Sequence, residues 1–142
     1  MSNEPERMPL GFLQMCIDKR FHRAIQQKFE LETRLLTNQY WLHADVGGTP
    51  GLAKDRPDAA DYCYRKLIEA TGGGAGHMGW AAHGSNCGGF EGVDDATILS
   101  KLRTEFEQNV TRYPSTSSRP IVHHLFFATA AGITYDRVPR SQ

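Results

Sequence analysis

Residues 11–18 read GFLQMCID, a short and nearly unbroken apolar run that closes on a thiol and a carboxylate. An apolar run of this length suits a strand buried on both faces, as in a parallel sheet. Working outward, Phe21 to Leu36 has helical spacing, with Phe21, Ile25, Phe29 and Leu36 near one face and Asn38 after it. Residues 40–46, YWLHADV, read as a second strand stopped by Gly47, Gly48 and Pro50. Pro57 fits the first turn of a helix running to about Ala70, with Ala60, Tyr64, Leu67 and Ile68 inward, and Gly72 to Gly74 break it. Residues 77–83, HMGWAAH, form a third strand. Asp94 is an N-cap for a helix carrying Ile98, Leu99, Leu102, Phe106 and Val110. Ile121 to Thr129 is a fourth strand, and Ile133 to Val138 pairs with it after a turn at Ala131 and Gly132.

Strands alternating with helices predict an α/β fold of three layers, with a mostly parallel central sheet of four to five strands flanked by helices and an antiparallel edge. The length of 142 residues fits one domain, taken as residues 10–142 behind a disordered tail at 1–9. Apolar residues make up 39% and charged residues 23%, which excludes a disordered chain or a coiled coil. Lys+Arg and Asp+Glu stand at 16 each, so no long-range field draws nucleic acid or an anionic membrane. The polar, acidic start lacks the pattern of a secretory signal, and no apolar run approaches the roughly 20 residues of a membrane span. The expected setting is the cytoplasm. Three cysteines (Cys16, Cys63 and Cys87) in such a chain favour metal binding or plain burial over disulfides.

In sheets of this kind the functional crevice lies beyond the carboxyl ends of the strands. That edge collects Cys16, Asp18 and Arg20, then Asp45, Gly47 and Gly48, then His83 through Gly89. His83 and Cys87 stand four residues apart, and Cys16 ends a strand that can be the neighbour. Two thiolates and one imidazole are a zinc-type donor set, soft enough to prefer zinc over magnesium or calcium. Three protein ligands leave a fourth tetrahedral position open, as catalytic sites do. Buried cysteines at strand ends are also commonly inert, so spacing alone leaves metal binding and packing both open.

The surrounding motifs carry a resemblance. CIDKR at 16–20 has the form C-x-D-x-R, a strand ending in ADVGG follows at 44–48, and HGSNCGG follows at 83–89. In order and intervening length this resembles the β-class carbonic anhydrases, as does the closing HHLFFATAAGITYDRV, over about residues 11–138. The resemblance implies a β-carbonic-anhydrase-like zinc lyase. Cys16, His83 and Cys87 become the ligands of Zn²⁺, and Asp18 with Arg20 becomes the carboxylate–guanidinium dyad. Asp45, Gly47, Gly48 and Gly88 would line the substrate pocket. The implied reaction is reversible hydration of carbon dioxide to bicarbonate by a metal-bound hydroxide. The implied partners are a small-molecule substrate and further copies of the chain, as a homodimer or higher homo-oligomer, with no nucleic acid and no membrane.

The chain also departs from that family. The family's H-x-x-C is H-x-x-x-C here, its R-N-A-G-G is Ala44-Asp45-Val46-Gly47-Gly48, and its long amino-terminal helices are missing before residue 11. Two alternatives therefore stay open. One is a zinc hydrolase of carbonyl sulfide or carbon disulfide. The other is a non-catalytic zinc-binding relative, in which Asp18 takes the fourth metal position. Outside these motifs, Cys63, Trp80, Phe126 and Phe127 read as core, His43 as a satisfied strand histidine and His77 as solvent-facing. His123 and His124 are adjacent on a strand, so they point to opposite faces and cannot share a site.

Overall fold

A computed structural model describes residues 9–16, 18–45, 58–70, 74–84 and 92–140. Five strands form one sheet: β1 (Gly11–Cys16), β2 (Tyr40–Asp45), β3 (Gly76–His83), β4 (Ile121–Thr129) and β5 (Gly132–Val138). Among the described residues three α-helices connect them: α1 (His22–Thr33), α2 (Asp58–Glu69) and α3 (Asp95–Arg112). The spatial order is β2-β1-β3-β4-β5. All neighbours run parallel except β5, which returns antiparallel along β4. The expected mostly parallel α/β sheet is therefore present, at the upper strand number.

The central strands β1, β3 and β4 are buried on both faces, which is why they read as apolar runs, whereas the edge strand β5 is exposed or half-buried along its length. Phe12, Met78, Trp80, Leu125 and Phe127 turn to one face, where Ala60, Cys63 and Leu67 of α2 and Ile98, Leu102 and Phe106 of α3 meet them. Leu13, Met15, Ala81, Phe126 and Ala128 turn to the other face, against Ile25 and Phe29 of α1. Gly79 lets α1 come down close, because a Cβ there would lie 2.7 Å from Leu13 Cδ1 and 3.0 Å from the Phe29 ring. The α3 start is capped as expected, with Asp94 Oδ1 accepting from the Thr97 N–H at 2.7 Å.

Helix α1 stops three residues short of Leu36. Thr33 Oγ1 donates to the Phe29 carbonyl at 2.7 Å and accepts from the Leu35 N–H at 3.2 Å, competing with the helical ladder. Arg34 then adopts a left-handed φ of 64° while its N–H still reaches the Glu30 carbonyl at 2.9 Å. This ending swings Leu36 outward to 65% exposure, and Leu35 packs on the core in its place. The end of α2 is closed by a side chain from the far side of the sequence. Buried Arg119 donates through Nε to the Leu67 carbonyl at 3.0 Å, through Nη1 to Gly74 at 2.8 Å and through Nη2 to Ala70.

The paired histidines of β4 separate as alternation requires. His123 accepts from Trp80 Nε1 at 3.0 Å on one face, and its Nε2–H donates to the Tyr113 carbonyl at 2.8 Å. His124 turns to the other face, between His77 Nδ1 at 3.0 Å and the Tyr135 hydroxyl at 2.7 Å. His77 is thus drawn inward to a partner rather than left to solvent. Burial, with the Arg137 charge second, depresses it to about 4. Among the described residues, no helix is long and apolar enough to cross a membrane.

Candidate metal centre

The strand order opens a crevice at a defined place. After β1 the chain crosses by α1 on one face of the sheet, and after β3 it crosses by α3 on the other. The two exits diverge, so the carboxyl ends of β1 and β3 flank the topological switch point where α/β sheets bind ligands. Cys16 ends β1 and His83 ends β3. The strands are direct neighbours with Gln14 opposite Trp80, a register that sets Cys16 level with Ala82, one residue before His83. Cys16 shares its layer with α2 and α3, while alternation turns His83 toward α1, and the two side chains approach one another over the end of the sheet.

His83 is buried, and its Nδ1–H donates to the Gly84 carbonyl at 2.7 Å. That bond fixes the tautomer and leaves the lone pair of the neutral ring on Nε2, the arrangement of a metal-ligating histidine. Nε2 is buried and lies toward the Cys16 side chain. It faces Asp18 Oδ2 at 3.7 Å. The Cys16 side chain does most to raise the ring's affinity for a proton; burial opposes the rise, and the Gly84 carbonyl and the Asp18 charge add to it. The donor of β1 and the donor of β3 therefore act on each other across the crevice.

Asp18 is ordered by Arg20. Its Oδ1 accepts the Arg20 backbone N–H at 3.0 Å, which caps a short 3₁₀ turn over Lys19–Phe21. Arg20 Nη2 meets Oδ2 at 2.7 Å and Nε meets the same oxygen at 3.0 Å, a charge-assisted clamp. The side-chain bond to Arg20, followed by its backbone N–H, holds the carboxyl down to about 2, so Asp18 is ionised at neutral pH.

Two neighbours were not singled out from the sequence. The Phe21 ring lies on the His83 ring, with centroids 5.1 Å apart and planes at 34°. His22 Nε2–H donates to the Cys16 carbonyl at 2.5 Å. Both continue the C-x-D-x-R run, and spacing marks Phe21 only as part of the apolar helix face. Gly84 matters by its lack of a side chain, since a Cβ there would come within 2.3 Å of the Asp95 carboxyl.

The structure thus gathers Cys16, Asp18, Arg20 and His83 at one crevice. Asp45 is the register partner of Cys16 at the end of β2. Gly47, Gly48, Cys87 and Gly88 lie outside the described residues. Among the described residues, no group of three or more His, Cys, Asp or Glu forms a ready metal cage, so a tight site needs a donor such as Cys87 beyond them. The residues present still fit a zinc ion in chemistry: a thiol donor, an imidazole in the ligating tautomer with its Nε2 buried, and a carboxylate beside them. No protein-family model, no curated protein and no solved structure matches the chain.

Proposed function

We propose that this chain holds one Zn²⁺ with Cys16, His83 and Cys87 and interconverts carbon dioxide and bicarbonate, as a zinc lyase of the β-carbonic-anhydrase type. One observation carries the reading. His83 Nε2 is buried with the Cys16 side chain as its strongest neighbour and the ionised Asp18 carboxylate 3.7 Å away, so imidazole, thiol and carboxylate converge where β1 and β3 end. A thiol and an imidazole brought together at a strand-end crevice beside a carboxylate are the donor types that zinc takes.

Zinc, when bound, would acidify a water enough to make it a nucleophile near neutral pH. The remaining work falls to the chain's own groups. The Gly84 carbonyl keeps the His83 donor pointed inward. Two thiolates would offset the charge of the ion. Arg20 keeps Asp18 a pure acceptor, able to take a hydrogen bond from the attacking water and so aim its lone pair at the substrate carbon. The Phe21 ring gives the crevice an apolar wall, which suits a small uncharged substrate. Among the described residues, β2 and β5 each pair on one side only, and the same proposal includes a homodimer formed at one of these edges.

The test is metal analysis of the purified protein, followed by stopped-flow CO₂ hydration between about pH 6 and 9. One zinc per chain with hydration activity is expected. Cys16→Ser should lose the metal, and a variant that keeps its full content overturns the ligand assignment. A metal-loaded protein without hydration activity rejects the reaction. Sulfide release from carbonyl sulfide or carbon disulfide then selects the sulfur hydrolase, and silence toward all three selects a non-catalytic zinc protein with Asp18 as fourth ligand.

A further inference from the structure

We infer that Phe21 and His22 are positioning residues which, together with Arg20, hold the candidate ligands in binding geometry before any metal arrives; this rests on the zinc site proposed above. The observation is a one-to-one correspondence. Three consecutive residues leave one turn, and each grips a different member of the site. Arg20 grips the Asp18 carboxylate, with Nη2 2.7 Å from Oδ2. Phe21 covers the His83 ring at 5.1 Å between centroids. His22 donates to the Cys16 carbonyl at 2.5 Å.

The geometry of the turn makes this possible. Asp18 caps it by accepting the Arg20 N–H, so the carboxylate that belongs to the site also sets the direction in which the next residues leave. A 3₁₀ turn advances about a third of a revolution per residue, so three successive side chains diverge to three targets. Helix α1 begins at His22 and is anchored in the core by Ile25 and Phe29, so the turn has a rigid base. Arg20 itself lies 5.7 Å from the Phe21 ring centroid, and this cation–π contact ties two of the three grips together.

Each grip controls a different freedom. The Phe21 face limits rotation of the imidazole, which the Nδ1 bond to Gly84 and the Cys16 side chain also restrain. The His22 bond fixes the peptide plane after Cys16 and hence the direction of the Cα–Cβ bond that carries the sulfur. Outer contacts of this kind typically set metal affinity by 10–100-fold. The turn is thus a preorganising element, and its loss should be visible in the metal-binding constant and in the ligand field.

The experiment compares wild type with Phe21→Ala and His22→Ala, and with the conservative variants Phe21→Tyr and His22→Gln. Co²⁺ is titrated into metal-free protein while its visible spectrum and its thiolate charge-transfer band are followed. The ¹⁵N signals of the His83 ring are recorded without metal. We expect the alanine variants to bind Co²⁺ about 10–100-fold more weakly with altered spectra, and the conservative variants to recover most of the affinity. Without metal, wild type should show a single Nδ1–H tautomer at His83 and the alanine variants a mixture. Urea unfolding separates a loosened site from a lost fold. If the alanine variants keep wild-type affinity and spectrum, the clamp is overturned and the zinc site stands. If wild type binds no Co²⁺, the zinc site falls and the ring signals decide: a mixture in the alanine variants supports the clamp, and a tautomer unchanged in both overturns it.

Discussion

Lowering the pH of metal-free protein from 7 to 5 should remove about 4–6 kcal/mol of folding stability, and the cause is buried histidine. His123 is 2% exposed and fully bonded as a neutral ring: Nδ1 accepts from Trp80 and Nε2–H donates to the Tyr113 carbonyl. A second proton on Nδ1 would displace the Trp80 N–H and leave a charge against the Trp80 and Phe106 rings. Burial accordingly pulls His123 down to about 4 from an ordinary 6.5. His124 is 0% exposed and is pulled to about 2 by burial, with the His77 charge second. The sign follows from proton counts. Below pH 6.5 the unfolded chain takes a proton on each ring and the folded chain does not, so stability falls with pH at about 1.4 kcal/mol per unit for each ring. At pH 5 that is about 2 kcal/mol each for His123 and His124, with up to a similar amount from His77, which titrates with His124 as a coupled pair. His83 runs the other way, because its raised affinity for a proton adds stability below 6.5 and loses it as pH rises, which trims the total. The assay is equilibrium urea unfolding at the two pH values with chelator present, joined to NMR titration of the ring protons. Ring signals of His123 and His124 should stay flat down to pH 5. Either ring titrating near 6.5, or a stability loss under about 1.5 kcal/mol, refutes the reasoning.

Three further outcomes follow from packing. Arg119→Leu should destabilise the fold by about 2–4 kcal/mol in thermal or urea unfolding, because it strands the carbonyls of Leu67, Ala70 and Gly74. Leu102→Ala, at a fully buried position of α3, should cost about 2–5 kcal/mol in the same assay. Gly84→Ala forces the Asp95 carboxyl away and should weaken metal binding by about 10-fold or more while costing only about 1–3 kcal/mol of stability; calorimetry of zinc binding reads the first and unfolding the second.

Much of this architecture was legible because both faces of the central strands are covered. A doubly buried strand must be apolar throughout, so GFLQMCID and HMGWAAH announced themselves, and Ile121–Thr129 falls on its expected bounds. The apolar runs also placed Cys16 and His83 at strand ends, and neighbouring strands then brought them together. What escaped depends on bonds to backbone. Leu36 is exposed because Thr33 and Arg34 end the helix early, a choice invisible to hydrophobic spacing. Arg119 is buried by bonds to three carbonyls of distant residues, which no pattern of apolar spacing signals. His77 reads as solvent-facing because its partner, His124, lies 47 positions away in the chain. Phe21 and His22 act through a ring face and a peptide oxygen; spacing marks Phe21 only as part of an apolar helix face and does not mark His22.

The two donors at the mouth of β1 and β3 belong to segments separated by nearly half the polypeptide, and only completed pairing of those strands brings them into register. An ion bridging them would act as a rivet between central strands, binding the finished article and ignoring every unfinished one. By mass action it would then hold the sheet closed by about 4 kcal/mol at a thousandfold excess over its dissociation constant. Conversely, any lesion that slides one strand past the other, however remote, would register first as a looser grip on the cation.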